Sequence, residues 1–200
     1  MSVFSSKRRV LLAASTAAVV SSFLAGCKEK ALAFRGSDIN GTRLGKDLEL
    51  QDGSGKVRGL ADYKGKVALV FFGYTQCPDV CPTAMAELSQ TMELLGPDAA
   101  KVQVIMISVD PARDTPEVLS AYVQAFNPSF VGLTGTPEQL NKTAKSFKAY
   151  YAKSSGGTAE QYGMDHASSF YVLDQDGEAR VLIAGNAKAA DIAADIRLLL

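Results

Sequence analysis

The sequence has no tryptophan, a single histidine (His166) and only three cysteines (Cys27, Cys77 and Cys81). Neither sign of charge is in excess, with 21 Lys+Arg against 21 Asp+Glu. That balance leaves nothing basic enough to bind nucleic acid. Low-complexity tracts and internal repeats are missing too. So is an apolar run of the roughly 20 residues that a membrane-spanning helix needs. What is present suits one globular domain: 200 residues with a 47% hydrophobic fraction, enough to bury a real core.

The N-terminus reads as a targeting segment. Lys7, Arg8 and Arg9 precede an apolar stretch from Val10 to Leu24 and then "LAGC". A basic start, a short apolar core and small residues before a cut site make a secretory signal over residues 1–26. "LAGC" resembles the lipobox of bacterial lipoproteins, which implies lipidation of Cys27 and a membrane anchor facing the periplasm, with the inner membrane favoured. The adjacent arginines also resemble a twin-arginine export signal, though they suit an ordinary basic start. Cutting before Cys27 removes three cations and no acid, so 18 cations then face 21 anions, a formal −3. Residues 27–45 are Gly-rich and polar without clear periodicity and read as a tether, with room for an edge strand late in the segment. The domain is expected over 46–200.

Within it, "DLELQDGSGKVRGL" has a Gly-rich turn between two short alternating segments, a hairpin signal. "KVALVFFGY" (66–74) is a nearly continuous apolar run, expected as a buried central strand. Cys81, Met85, Leu88, Met92 and Leu95 then fall on one helical stripe, ended at Gly96-Pro97. "KVQVIMISVD" is a second buried strand, and "DTPEVLSAYVQAF" a helix capped by Asp114 or Thr115 with Pro116 in its first turn. A short strand, another capped helix, a second hairpin around an Asp-Gly turn and a closing helix complete the chain. Strands alternating with helices argue for an α/β fold with a largely parallel sheet covered on both faces. The closing hairpin makes the arrangement thioredoxin-like, with an N-terminal β-hairpin extension.

Cys77 and Cys81 sit after the central strand and in the first turn of a helix, the end of an open α/β sheet that ligands favour. Free N–H groups and the positive helix end there stabilise negative sulfur and are expected to lower thiol pKa values. Three readings remain open. A structural disulfide would close a very small loop and stabilise little. A redox dithiol is weakened by the C-x-x-x-C spacing and by "YGMDHASSF", which lacks the proline that thioredoxin-fold oxidoreductases carry opposite their cysteines. A metal site becomes attractive if His166, three residues before "SFYVLD", reaches the dithiol. Without Cys27, the chain offers three Cys/His ligands, whereas structural zinc usually wants four. Soft thiolates select Cu(I), so copper delivery fits this donor set better than metal-assisted hydrolysis.

"FFGYTQCPDVCPTAMAEL", "ISVDPARDTPEVLSAYV" and "DHASSFYVLDQDG" resemble the Sco/SenC family of copper-binding, thioredoxin-like proteins. The resemblance runs from about Leu48 to Leu200. It implies ligation of Cu(I), and of Cu(II) in many members, by Cys77, Cys81 and His166. It implies service to cytochrome c oxidase, most often at the dinuclear copper site of subunit II, with another periplasmic copper chaperone as a candidate donor. It places Asp110 beside the metal loop, orienting ligands or balancing charge. Gln76 departs from the family, many members having His there. On this reading the protein is a metallochaperone. The alternative is a thiol–disulfide oxidoreductase that uses Cys77 and Cys81 to keep the oxidase cysteines reduced.

Overall fold

The computed structural model describes residues 32–155, 158 and 161–200. The expected signal at 1–26 and the lipidation site Cys27 lie outside them. In chain order the elements are β1 (Ser37–Asp38), β2 (Leu50–Gln51), β3 (Val57–Arg58), β4 (Val67–Gly73), α1 (Val80–Leu95), β5 (Val102–Ser108), α2 (Pro116–Phe126), β6 (Val131–Leu133), α3 (Pro137–Phe147), β7 (Tyr151–Lys153), β8 (Met164–His166), β9 (Phe170–Leu173), β10 (Ala179–Ile183) and α4 (Ala189–Arg197). Two short 3-10 turns precede β4 and β5.

The runs VALVFFG and VQVIMIS, apolar but for Gln103 and Ser108, become β4 and β5, every residue of which is buried. Only strands covered on both faces can be apolar on both sides, and these two pair in parallel at the centre of a six-stranded sheet. Its order is β1-β10-β9-β4-β5-β6. β6 continues the parallel half, while β9, β10 and β1 run antiparallel on the other side. The thioredoxin-like α/β arrangement with a closing hairpin is therefore observed. The expected N-terminal hairpin is also present as the separate β2–β3 ribbon.

Successive side chains on β4 point to opposite faces. Phe72 packs edge-on against Phe147 of α3, with ring centroids 5.5 Å apart. Phe71 faces the other way, tilted against Phe170 at 5.5 Å. Gly73 shares the Phe71 face, and a Cβ there would lie 3.0 Å from Cys81 Sγ and 2.8 Å from the Phe71 ring. The missing side chain is what lets the first turn of α1 approach the strand end.

The helices start as their sequences dictate. Thr115 and Thr136 cap α2 and α3, their hydroxyls accepting from Val118 N and Gln139 N, with a proline in the first turn of each. The stripe Cys81, Met85, Leu88, Met92 and Leu95 on α1 is buried as expected.

Two expectations change. The folded unit runs from Phe34 to Leu200, so it begins ahead of residue 46. The buried carboxylate of Asp195 accepts from Arg35 N (2.7 Å) and Gly36 N (2.8 Å), and Ser37–Asp38 then pairs with β10. Gly45, at φ +77°, presses its backbone against the Phe147 ring, where a Cβ would come within 2.5 Å. The end of the segment read as tether is thus part of the sheet and core. Second, the elements expected from the sequence include no strand at His166. That residue ends β8, which pairs with β7 in a two-stranded ribbon separate from the main sheet.

Candidate metal centre

The loop after β4 turns at once, with Cys77 N donating to Tyr74 O at 3.3 Å. Thr75 is pinned from below by the fully buried Asp114, which accepts from Thr75 N (3.1 Å), Thr75 Oγ1 (2.6 Å) and Ser108 Oγ (2.7 Å). Asp114 therefore does not cap α2 but anchors the cysteine loop to the end of β5, a role the sequence reading missed. The only signal for it is a second aspartate within the "SVDPARDTP" segment.

No side chain caps α1 at Asp79. Helix starts leave N–H groups without partners, and here sulfur takes one of them: Cys81 N donates to Cys77 Sγ at 3.4 Å. Partial burial works against the Cys77 thiolate. Hydrogen bonds from the backbone of Asp79, Cys81 and Val80 and from the Cys81 side chain outweigh it and hold the Cys77 pKa below that of an ordinary thiol. Cys81 does the opposite of what the helix position suggested. It is fully buried, and that burial pushes its thiol far up, past the help of a backbone hydrogen bond from Tyr74, with the neighbouring Cys77 adding to the rise. The dithiol is asymmetric: a half-exposed, easily ionised sulfur next to a buried, reluctant one. Both are free thiols.

His166 approaches from the ribbon. Its ring meets Phe71 and Tyr74 edge-on, with centroids 6.0 Å away in each case. Nδ1 lies 3.0 Å from Ala167 O. A carbonyl oxygen only accepts, so Nδ1 carries the hydrogen of that bond and Nε2 is left to present a lone pair. Nε2 stands 3.5 Å from Cys81 Sγ. One donor atom each from Cys77, Cys81 and His166 lies within 4.8 Å of the others, a spacing that a single ion can bridge. Cys77 and His166 border a cavity of about 470 Å³ that Pro78, Asp79 and Val80 also line, with Cys81 buried behind them.

Asp110, placed beside the metal loop by the sequence reading, is buried at the end of β5. It connects to the site through two side chains that reading did not single out. Arg113 Nε forms an ion pair with Asp110 Oδ2, and Tyr162 Oη donates to Asp110 Oδ1 at 2.7 Å. Arg113 Nη1 in turn donates to Gln76 Oε1 at 2.9 Å. Gln76 is thus an acceptor for the arginine, one residue ahead of Cys77.

The family model described as SCO1/SenC matches residues 36–200. The SCO2-like protein of Rickettsia felis is 36% identical over 137 residues, which is 68% of this chain and 67% of that protein. Among solved structures, Bradyrhizobium japonicum ScoI with copper bound is 37% identical at a TM-score of 0.70, covering 84% of this chain and all of that one. BsSco, a member of the Sco family of cytochrome c oxidase assembly proteins in which a disulfide switch was identified, is 25% identical at a TM-score of 0.63, covering 82% of this chain and 96% of its own.

Proposed function

The chain belongs to the SCO1/SenC family, and from that premise we propose that it is a copper chaperone of cytochrome c oxidase assembly, carrying Cu(I) on Cys77, Cys81 and His166 to the dinuclear copper site of subunit II. The observation that carries this reading is the convergence of two sulfurs and one imidazole nitrogen within 4.8 Å. This donor set fits copper. Thiolates select Cu(I), imidazole is compatible with it, and the three donors fall one short of a structural zinc site. Copper is the cargo here, and Cu(II) is a second form the same ligands could take.

Loading displaces the Cys81 proton, so copper affinity should rise with pH. Two thiolates and one Cu(I) leave a net −1, which the backbone N–H groups around Cys77 help to offset. Release follows when a sulfur donor of the recipient replaces one of the three ligands. A lipid on Cys27 would hold the carrier at the membrane on the periplasmic side, with the copper supplied by another periplasmic chaperone. Among the described residues no helix is long and apolar enough to cross a membrane.

The asymmetry of the thiols favours a second reading, a thiol–disulfide reductase. Cys77 thiolate would attack a target disulfide, forming a mixed disulfide and releasing one target thiolate. Cys81 would then lose its proton, for which His166 Nε2 at 3.5 Å is a base within reach, and displace the second target sulfur. The target gains two electrons and this chain ends as the Cys77–Cys81 disulfide. Titration of the reduced full chain with Cu(I) against a chromophoric chelator, followed by absorption and EPR of the Cu(II) form, tests the first reading. One copper per chain with sulfur and nitrogen ligation is expected, and absence of sulfur-to-copper charge transfer would overturn it. Rapid copper-free reduction of an oxidase peptide disulfide by the parent chain would favour the reductase.

A further inference from the structure

Tyr162 stands four residues before His166, just ahead of β8, and it is held on several sides. Its ring lies under two cations: the Arg113 guanidinium carbon is 3.7 Å from its centroid and Lys153 Nζ is 4.0 Å from it. Its hydroxyl donates to the buried Asp110 carboxylate at 2.7 Å. These contacts join three parts of the fold. Lys153 closes β7, whose register sets it opposite Met164 of β8. Asp110 and Arg113 belong to the turn after β5. Arg113 also donates to Gln76, next to Cys77, and its guanidinium carbon sits 5.8 Å from the centre of the Tyr74 ring.

The ribbon has no strand pairing with the main sheet, so beyond its short links to α3 and β9 side-chain contacts set where His166 rests. A cation stacked on an aromatic face within about 6 Å is attracted by the ring quadrupole, and more strongly when shielded from water. Here Arg113 is also fixed by Asp110 and Gln76, so the ring meets a cation with little freedom to follow it elsewhere. Resting on the copper-site reading above, we propose that Tyr162 is a positioning residue: it clamps the β7–β8 ribbon to Arg113 and thereby sets the reach of His166 Nε2 to the dithiol. The cation contacts fix the ribbon's approach, and the hydroxyl bond to Asp110 adds a lesser tie.

The test uses the full chain in mild detergent, with Tyr162→Phe, which keeps the ring, and Tyr162→Leu, which removes it. In the metal-free protein, NMR reads the through-space contacts from the His166 ring to Phe71 and Tyr74, and hydrogen exchange reads the Ala167 amide, which donates to Tyr150 O across the ribbon. For Tyr162→Leu we expect those ring contacts to vanish and Ala167 exchange to accelerate at least about tenfold, while amides of β4 and β5 keep their protection. Cu(I) affinity should fall about 10- to 100-fold, the range for a residue that orients a ligand. Tyr162→Phe should retain the ring contacts and stay within about threefold of the parent. Unchanged ring contacts and Ala167 exchange in Tyr162→Leu would overturn the clamp. The metal-free measurements decide this whether or not the parent binds copper, so failure of copper binding by the parent sinks the functional reading separately.

Discussion

Replacing His166 by alanine should separate metal binding from folding, because the ring does little for the core. It is half-buried, and its main packing is the pair of edge-on contacts with Phe71 and Tyr74. Edge-on ring pairs contribute about 0.5–1.5 kcal/mol each, so the variant should lose about 1–3 kcal/mol of stability. A domain with about 5–15 kcal/mol in hand stays folded after such a loss. Copper affinity should respond on another scale. Removing a residue that only orients a ligand costs about 10- to 100-fold, so removing the ligand itself should cost at least about 100-fold, roughly 2.7 kcal/mol or more. Competition of the reduced variant against a Cu(I) chelator measures the second quantity, and urea unfolding followed by circular dichroism the first. A folded variant whose copper affinity stays within about threefold of the parent would refute the role given to the imidazole.

The two thiols should differ sharply in reactivity: at about neutral pH iodoacetamide should label Cys77 at least about tenfold faster than the buried Cys81, read by peptide mass spectrometry, and equal rates would contradict the asymmetry. Gly45→Ala should destabilise the fold by about 2–5 kcal/mol, from the left-handed backbone and the crowding of Phe147 together; a urea midpoint unmoved by the change would put residue 45 back in a tether. Burial disfavours the Asp52 carboxylate, but hydrogen bonds from Ser54, Arg58 and Lys56 outweigh it and bring its pKa from 3.8 to about 2. Its contribution to stability is therefore complete above the unfolded value and fades as pH falls through about 2. The urea midpoints of the parent and Asp52→Asn should differ at about pH 7 and converge in acid, and a constant gap would show that the carboxylate's charge is not what matters.

The central strands were legible because nearly continuous apolar runs of seven residues leave a strand few places to go. The dithiol was legible because two cysteines bracket a helix start that Pro82 and the preceding strand already define. His166 could be named because the chain holds no other imidazole, yet its ribbon could not. Three-residue strands carry too little alternation to register, and Tyr151 meets His166 only through pairing across the ten residues between β7 and β8. The start of the folded unit was misplaced for a related reason. What holds Arg35 and Gly36 is Asp195, 160 and 159 residues away, and no local pattern records that. The split between the thiols was hidden because helix position argues one way for both sulfurs. Burial, which depends on the whole packed molecule, decides against Cys81. Arg113 and Tyr162 escaped notice, as did the tie from Arg113 to Gln76, because these contacts span 49 and 37 positions and the residues look like ordinary surface residues in sequence.

Both sulfurs sit beside the end of β4, on the loop and first helical turn that follow it, whereas the imidazole rides on a two-stranded ribbon with its own hydrogen bonds and no share in the main sheet. A gripping device divided in this way has one jaw built against the core and another held outside the main sheet. On the functional reading above, a recipient that draws the ribbon aside exposes the ion without breaking a rung of the six-stranded ladder. The effort of unloading is then set by a few side-chain contacts, and on that reading the carrier can be emptied and refilled while its interior stays intact.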